Sequence, residues 1–267
     1  MFQRGLQAHG AGRPEQAEAA FLQVLALAPE QADALRLLGA LAQARADWAQ
    51  ADDWLGRSLR AQPGQPAVWL NLGLVHEKLG RAAEAEHCFG RATELQPGLA
   101  EAHYHRARLL RQLGQTTAAL AAVRQALQLK PGVANMLQLR AMLEEEGGAL
   151  DAALQTLDEA LAVAPERASL HHNRAVVLQR SQRHAEALAA HEHAQALGLD
   201  VADAHYNHGN TLHSLGRAEL AQAAYRRALA REPQHALALY DLARLRWSCG
   251  EADFAAELEQ AEQTAPG

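Results

Sequence analysis

Residues 69 to 97 read WLNLGLVHEKLGRAAEAEHCFGRATELQP, and the order of small, large and turn-forming residues in this stretch decides the fold. Trp69, Leu72, Gly73 and His76 fall at i, i+3, i+4 and i+7, which sets them on one stripe of a helix. Gly80 stands where a helix needs a left-handed residue in order to stop. Ala85, Phe89 and Ala92 make the facing stripe of a second helix, and small Ala beside large Phe lets the two interdigitate. Gly73 lets that partner approach closely. Pro97 cannot extend a helix and marks the turn into the next segment.

The same order recurs along the chain. Pro29, Pro63, Pro97, Pro131 and Pro165 are spaced by 34 residues; Leu199 holds the next slot and Pro233 the one after. A fixed period in this range implies stacked supersecondary units rather than an ordinary globular core. The close-approach slot is filled by Gly39, Gly73 and Gly209, and elsewhere by the still small Ala107, Ala141, Ala175 and Ala243. Ala17, Ala51, Ala85, Ala119, Ala153, Ala187, Ala221 and Ala255 open the second-helix stripe. Four residues later come Phe21, Leu55, Phe89, Val123, Leu157, His191 and Tyr225. The unit holding His191 lacks the proline and carries Gln182 in place of a turn glycine, so it is expected to be the least regular and most mobile.

Trp69-x2-Leu72-Gly73-x2-His76, Ala85-x3-Phe89, Ala92 and Pro97 resemble the tetratricopeptide repeat pattern, with His76 where a Tyr is usual. The resemblance covers essentially the whole chain: a partial first unit over 1–31, then 32–65, 66–99, 100–133, 134–167, 168–201, 202–235, and an incomplete or capping unit over 236–267. It implies an all-α solenoid of antiparallel helix pairs, wound into a right-handed superhelix with first helices on the concave side.

Composition narrows the function. The 267 residues are 49% hydrophobic and 4% aromatic, with a net charge of −6. Lys78 and Lys130 are the only lysines, and no basic stripe offers itself to a phosphate backbone, so no nucleic acid is expected. No run reaches the roughly 20 apolar residues of a membrane helix. AAFLQVLALAP, residues 19–29, imitates a signal sequence, but Glu15 and Glu18 precede it where cationic residues belong. Cys88 and Cys249 show no paired spacing, which fits a reducing compartment. A cytoplasmic chain is expected, and the Ala/Arg-rich composition is associated with bacteria.

By the family's pattern, side chains one, two, five and eight residues after the Trp69 slot point into the groove. Candidate partner-binding residues are therefore Asn71; Tyr104, Arg108 and Arg111; His172 and Asn173; Tyr206, Asn207, Asn210 and His213; and Tyr240 and Arg244. Leu70 and Leu139 fall in the same set. Asn71, Asn173 and Asn207 share one slot, where an amide can both donate to and accept from an extended peptide backbone. They resemble the asparagine ladder in the repeat superhelix of the O-linked N-acetylglucosamine transferases, interrupted here by His105, Leu139 and Asp241. The plain alternative is that these amides bond to neighbouring helices. Tyr104, Arg108 and Arg111, flanked by Lys78 and Arg106, suggest a site for an acidic group or free carboxylate. The lysine-based carboxylate clamp of chaperone-binding members is absent, since its slots hold residues such as Gln138 and Tyr206.

Catalytic signatures are missing. Neither lysine sits in a Gly-Lys-Ser/Thr loop, and G-x-S-x-G, H-E-x-x-H and C-x-x-C do not occur. Glu144, Glu145 and Glu146 are consecutive, so a helix spreads them apart, and they read as a solvated helix end. HYNHGNTLH, residues 205–213, tempts as a metal site. Yet His205 and His213 would lie about 12 Å apart on a helix, too far to share a metal with ~2 Å bonds. His103, His171 and His205 take the Trp69 slot and should pack, each turning its polar edge to backbone or water. No cofactor or metal is expected.

The leading reading is a non-enzymatic scaffold that binds a peptide or protein segment in its groove. An alternative makes the chain the recognition region of a larger bacterial glycosyltransferase, sulfotransferase or iron/2-oxoglutarate oxygenase, with Phe254 and Leu258 to be covered by another helix or domain. A third reading is self-association through uncapped ends.

Overall fold

The computed structural model describes residues 1–250, and every described element is a helix. Two compact units divide the chain, Met1–Pro131 and Gly132–Gly267. The first holds α1 (Phe2–Gly10), α2 (Pro14–Leu27), α3 (Ala32–Ala44), α4 (Trp48–Ala61), α5 (Pro66–Lys78), α6 (Ala82–Leu95), α7 (Ala100–Gln112) and α8 (Thr116–Leu129). The second holds α9 (Ala134–Glu146), α10 (Leu150–Val163), α11 (Ala168–Arg180), α12 (His184–Ala196), α13 (Ala202–Ser214), α14 (Ala218–Arg231) and α15 (Ala236–Ser248). Phe254, Ala255, Leu258 and the rest of the closing repeat lie outside the described residues.

The fold is an all-α tetratricopeptide-type solenoid built from helix pairs, odd-numbered helices coming first in each pair. Pairing follows from size complementarity. A Cβ added to Gly73 would lie 2.5 Å from Phe89 Cε1, one on Gly209 the same distance from Tyr225 Cε1, and one on Gly39 2.5 Å from Leu55 Cδ2. Gly5 stands to Phe21 in the same way, a pairing the repeat pattern alone did not single out. The large residues and the alanines four positions before them are fully buried from the first pair through α14. Successive first helices also touch, α5 with α7, α9 with α11 and α11 with α13.

The turn inside each pair closes by a bond that spans five residues, as from Arg81 N–H to the His76 carbonyl at 2.9 Å. That closure needs positive φ, which Gly80 supplies at +72°. Gln182 takes the same conformation at +61° and its turn closes from Arg183 N–H to the Leu178 carbonyl at 2.9 Å. The sixth unit therefore keeps its turn. Its irregularity lies at the far end, where α12 is one residue shorter than α10, ends at Ala196 and is followed by Gly198 at φ +87°.

The solvated helix end expected of Glu144 is a misreading: its side chain is 2% exposed and bonded by Arg140 Nε and Thr156 Oγ1, each at 2.7 Å. Helical spacing puts Glu144 on the face toward α10, while Glu145 pairs with Arg180. The histidines of the Trp69 slot are backbone-bonded, His103 Nε2 to the Pro97 carbonyl and His171 Nε2 to that of Pro165, at 3.0 and 2.7 Å. His205 lacks a proline to meet and reaches Asp200 Oδ1 at 2.8 Å. No helix among the described residues is long and apolar enough to cross a membrane.

Candidate functional site

In the first unit, α5 forms the floor of a groove pocket of about 670 Å³. Asn71, Leu74, Glu77 and Lys78 come from α5, Gln43 and Trp48 from one side, Arg108 and Gln112 from the other. Burial pushes the Glu77 carboxyl above its usual range, and Arg108 and Lys78 oppose that shift. Arg108 Nη2 is 3.9 Å from Glu77 Oε1, a loose contact, and Nη1 donates to His105 Nδ1 at 3.2 Å. His105 is held neutral because burial, and then Arg108, push its pKa down to about 4. Its ring stacks on Phe89 at 6.0 Å and meets the Tyr104 ring edge-on at 5.3 Å. Arg111 lies one turn beyond Arg108 on α7. Arg106 is bonded to Glu86 through two nitrogens at 3.0 and 2.7 Å, so the basic surface is narrower than the sequence suggests.

In the second unit, Met142, Glu145, Asn173 and Val176 surround a pocket of about 170 Å³. The Nδ2 of Asn173 is buried there with no hydrogen-bond partner. A second pocket, about 430 Å³, shares Val176 and adds Gln179, Arg180, Gln182, His184, Asn207 and Ser214. All three asparagines of the ladder slot thus line pockets. Leu70 and Leu139 do not belong to the groove: they are 8% and 6% exposed, and Leu70 packs with Phe89 and Leu109. They fill two different slots, one and two residues after that of Trp69, and a leucine at either turns inward because nothing polar holds it at the surface.

Other candidates are tied into the scaffold. His172 turns its ring to His191 at 5.5 Å, and burial holds its pKa low. Tyr206 donates to Asp241 Oδ2 at 2.9 Å and packs its ring on Tyr225 and His235 at 5.9 and 5.0 Å. Asn210 Oδ1 accepts from the Tyr225 hydroxyl at 2.8 Å. Arg244 pairs with Asp241 at 3.1 Å. Tyr240 and His213 are exposed. Of the HYNHGNTLH run, His205, His208, Gly209 and Leu212 are buried, and Asn207 is the member that lines a pocket. Among the described residues no group of three or more His, Cys, Asp or Glu is placed to hold a metal ion.

Trp48, Gln182 and His184 are pocket residues that the groove register of first helices does not include. They belong to the turn and the first residue of a second helix. Trp48, Ala82 and His184 share one repeat slot and all line pockets, a signal the 34-residue period already contains.

Family models described as tetratricopeptide repeat match residues 70–134 and 202–235. Among solved structures the chain is similar to one from the hetero-tetramer Cut9-Hcn1 of the APC/C, at 17% identity and TM-score 0.72, covering 95% of this chain and 50% of that one. The chain therefore spans half the length of that structure. A tetratricopeptide repeat protein from Parabacteroides merdae gives 17% identity and TM-score 0.66 over 92% of this chain and 97% of its own. YrrB, described as a tetratricopeptide repeat protein with an unusual peptide-binding site, gives 18% and 0.57 over 70% and 96%. No curated protein matches the chain.

Proposed function

We propose, the chain being a tetratricopeptide repeat protein, that it is a non-enzymatic scaffold whose first helices hold an extended peptide or protein segment. The observation that carries this is Asn173: its side chain lines a pocket of the groove, yet its amide Nδ2 is shut off from solvent with no partner, a state that costs about 1–3 kcal/mol. A backbone carbonyl of a bound segment would satisfy it once the side chain turns its amide toward the pocket. Asn71 and Asn207 sit at the same repeat slot on their own pockets, which suits a ligand whose backbone repeats. Arg108 supports an acidic side chain or free carboxylate as part of that ligand. Its 3.9 Å contact with Glu77 is loose, so a carboxylate at bonding distance would compete for it.

The test is capture of partners by the full chain, side by side with an Asn173→Ala/Asn207→Ala/Arg108→Ala variant. Loss of partners in the variant supports the groove; recovery of the same set by both proteins removes it.

A further inference from the structure

We infer that the pocket around Gln182 is a selectivity subsite for a primary amide, the side chain of an Asn or Gln in the bound segment. This inference rests on the groove reading and narrows its chemistry. The turn position that Gln182 occupies is glycine in the neighbouring pairs, Gly148 and Gly216, because φ is positive there. Gln182 holds the same left-handed conformation at +61°, which a side chain strains. Ala46 does so too, at +58°, so the turn tolerates a Cβ, and the informative feature is where the Gln182 side chain goes.

Its amide oxygen lies 3.0 Å from His184 Nε2, which places the imidazole proton on Nε2 and leaves Nδ1 an acceptor. That Nδ1 is shut off from solvent, so what the pocket offers a ligand is the side-chain amides around it. Gln182 and His184 line the 430 Å³ pocket with Gln179 and Asn207, whose amides supply donors and acceptors, against the apolar wall of Val176. The one formal charge in the lining, Arg180, is neutralised by Glu145, whose backbone carbonyl it also meets at 2.9 Å. A pocket of neutral donors and acceptors gives a charged side chain no counter-charge to bind. It favours a group that donates and accepts at once, and a primary amide does both, toward the side-chain amides of Gln182, Gln179 and Asn207.

The experiment selects from a displayed library of random short peptides with the full chain and with Gln182→Gly. Glycine relieves the turn, so this variant should melt no lower than the parent, and a loss of binding is then no folding defect. The expected result is that the parent enriches peptides with Asn or Gln at one fixed position. Gln182→Gly should bind those peptides about tenfold more weakly, no better than it binds their Asn/Gln→Ala versions. Asn173→Ala, by contrast, should weaken all peptides alike. Enrichment without an amide at a fixed position, or an undiminished amide preference in Gln182→Gly, overturns this inference and leaves the groove standing. No enrichment of any peptide by the parent overturns both.

Discussion

Trp69 donates its indole N–H to the carbonyl oxygen of Pro63, six residues earlier, at 2.8 Å. Proline ends the second helix of one pair and leaves its carbonyl without a helical partner; the aromatic residue opening the next first helix supplies the donor. His103 and His171 do the same for Pro97 and Pro165. Leu35 in this slot has no donor, and Arg57 Nη2 reaches the Pro29 carbonyl instead, at 3.4 Å. Trp69→Phe keeps the ring and removes the N–H, so it should cost about 1 kcal/mol in urea unfolding. An unchanged midpoint would show that water replaces the indole without loss.

Close approach predicts a larger effect. Gly73→Ala puts a methyl 2.5 Å from a Phe89 ring that has no free space, an overpacking that should cost about 1–3 kcal/mol. The chain contains its own remedy, since Ala141 and Leu157 fill the same two slots in the fifth repeat. Gly73→Ala/Phe89→Leu should therefore recover most of the loss. Gly209→Ala should be costlier than Gly73→Ala because Tyr225 is also pinned through its hydroxyl to Asn210. Equal thermal shifts for the two alanine variants would refute that ordering.

Glu144 tests the buried polar contacts. Alanine there strips the carboxylate from Arg140, whose other acidic neighbour, Glu159, is 3.8 Å away, and leaves Thr156 Oγ1 buried without its acceptor. Loss of one member of such a buried pair should cost about 3 kcal/mol. Thr156→Val, which removes only the neutral donor, should cost about 1 kcal/mol. Denaturant midpoints for the two variants separate these effects.

How far the sequence carried depends on which physical signal each feature leaves. Close packing writes a period into the chain, because every pair needs a small residue opposite a large one, and so the helices, turns and buried alanines were legible. The groove is harder. Its residues were assigned by register, yet register says where a Cα lies and not what a side chain then bonds. Asn173 and Asn210 occupy comparable outward positions, but Asn210 is taken by Tyr225, whose hydroxyl exists only in that repeat. Glu144 was misread for the same reason: its partner Thr156 is twelve residues away, on the other helix of the pair.

Acid sensitivity should be concentrated where His191 replaces the usual large apolar residue. His191 is fully buried, with its ring 5.5 Å from His172 and 5.8 Å from His208. Burial, and then the charge each ring would impose on the next, push His191 down to about 3, while burial holds His208 at about 4. These folded-state values lie below the ordinary histidine value, so the unfolded chain binds more protons over the interval between them. The histidine contribution to stability is therefore complete above about pH 6.5 and falls as pH drops toward 3, with His191 alone accounting for on the order of 5 kcal/mol. Ala175, opposite His191 in register, matches the Ala141 that accompanies Leu157, so leucine is the replacement the slot accepts. His191→Leu also removes the unpartnered Nε2 and should raise stability by about 1 kcal/mol at pH 7. Carboxylates titrate in both proteins, so the reading is the difference between the two curves. It should widen steadily from about pH 6.5 to about pH 4 in chemical denaturation; a constant difference would mean that His191 takes up its proton without loss of the fold.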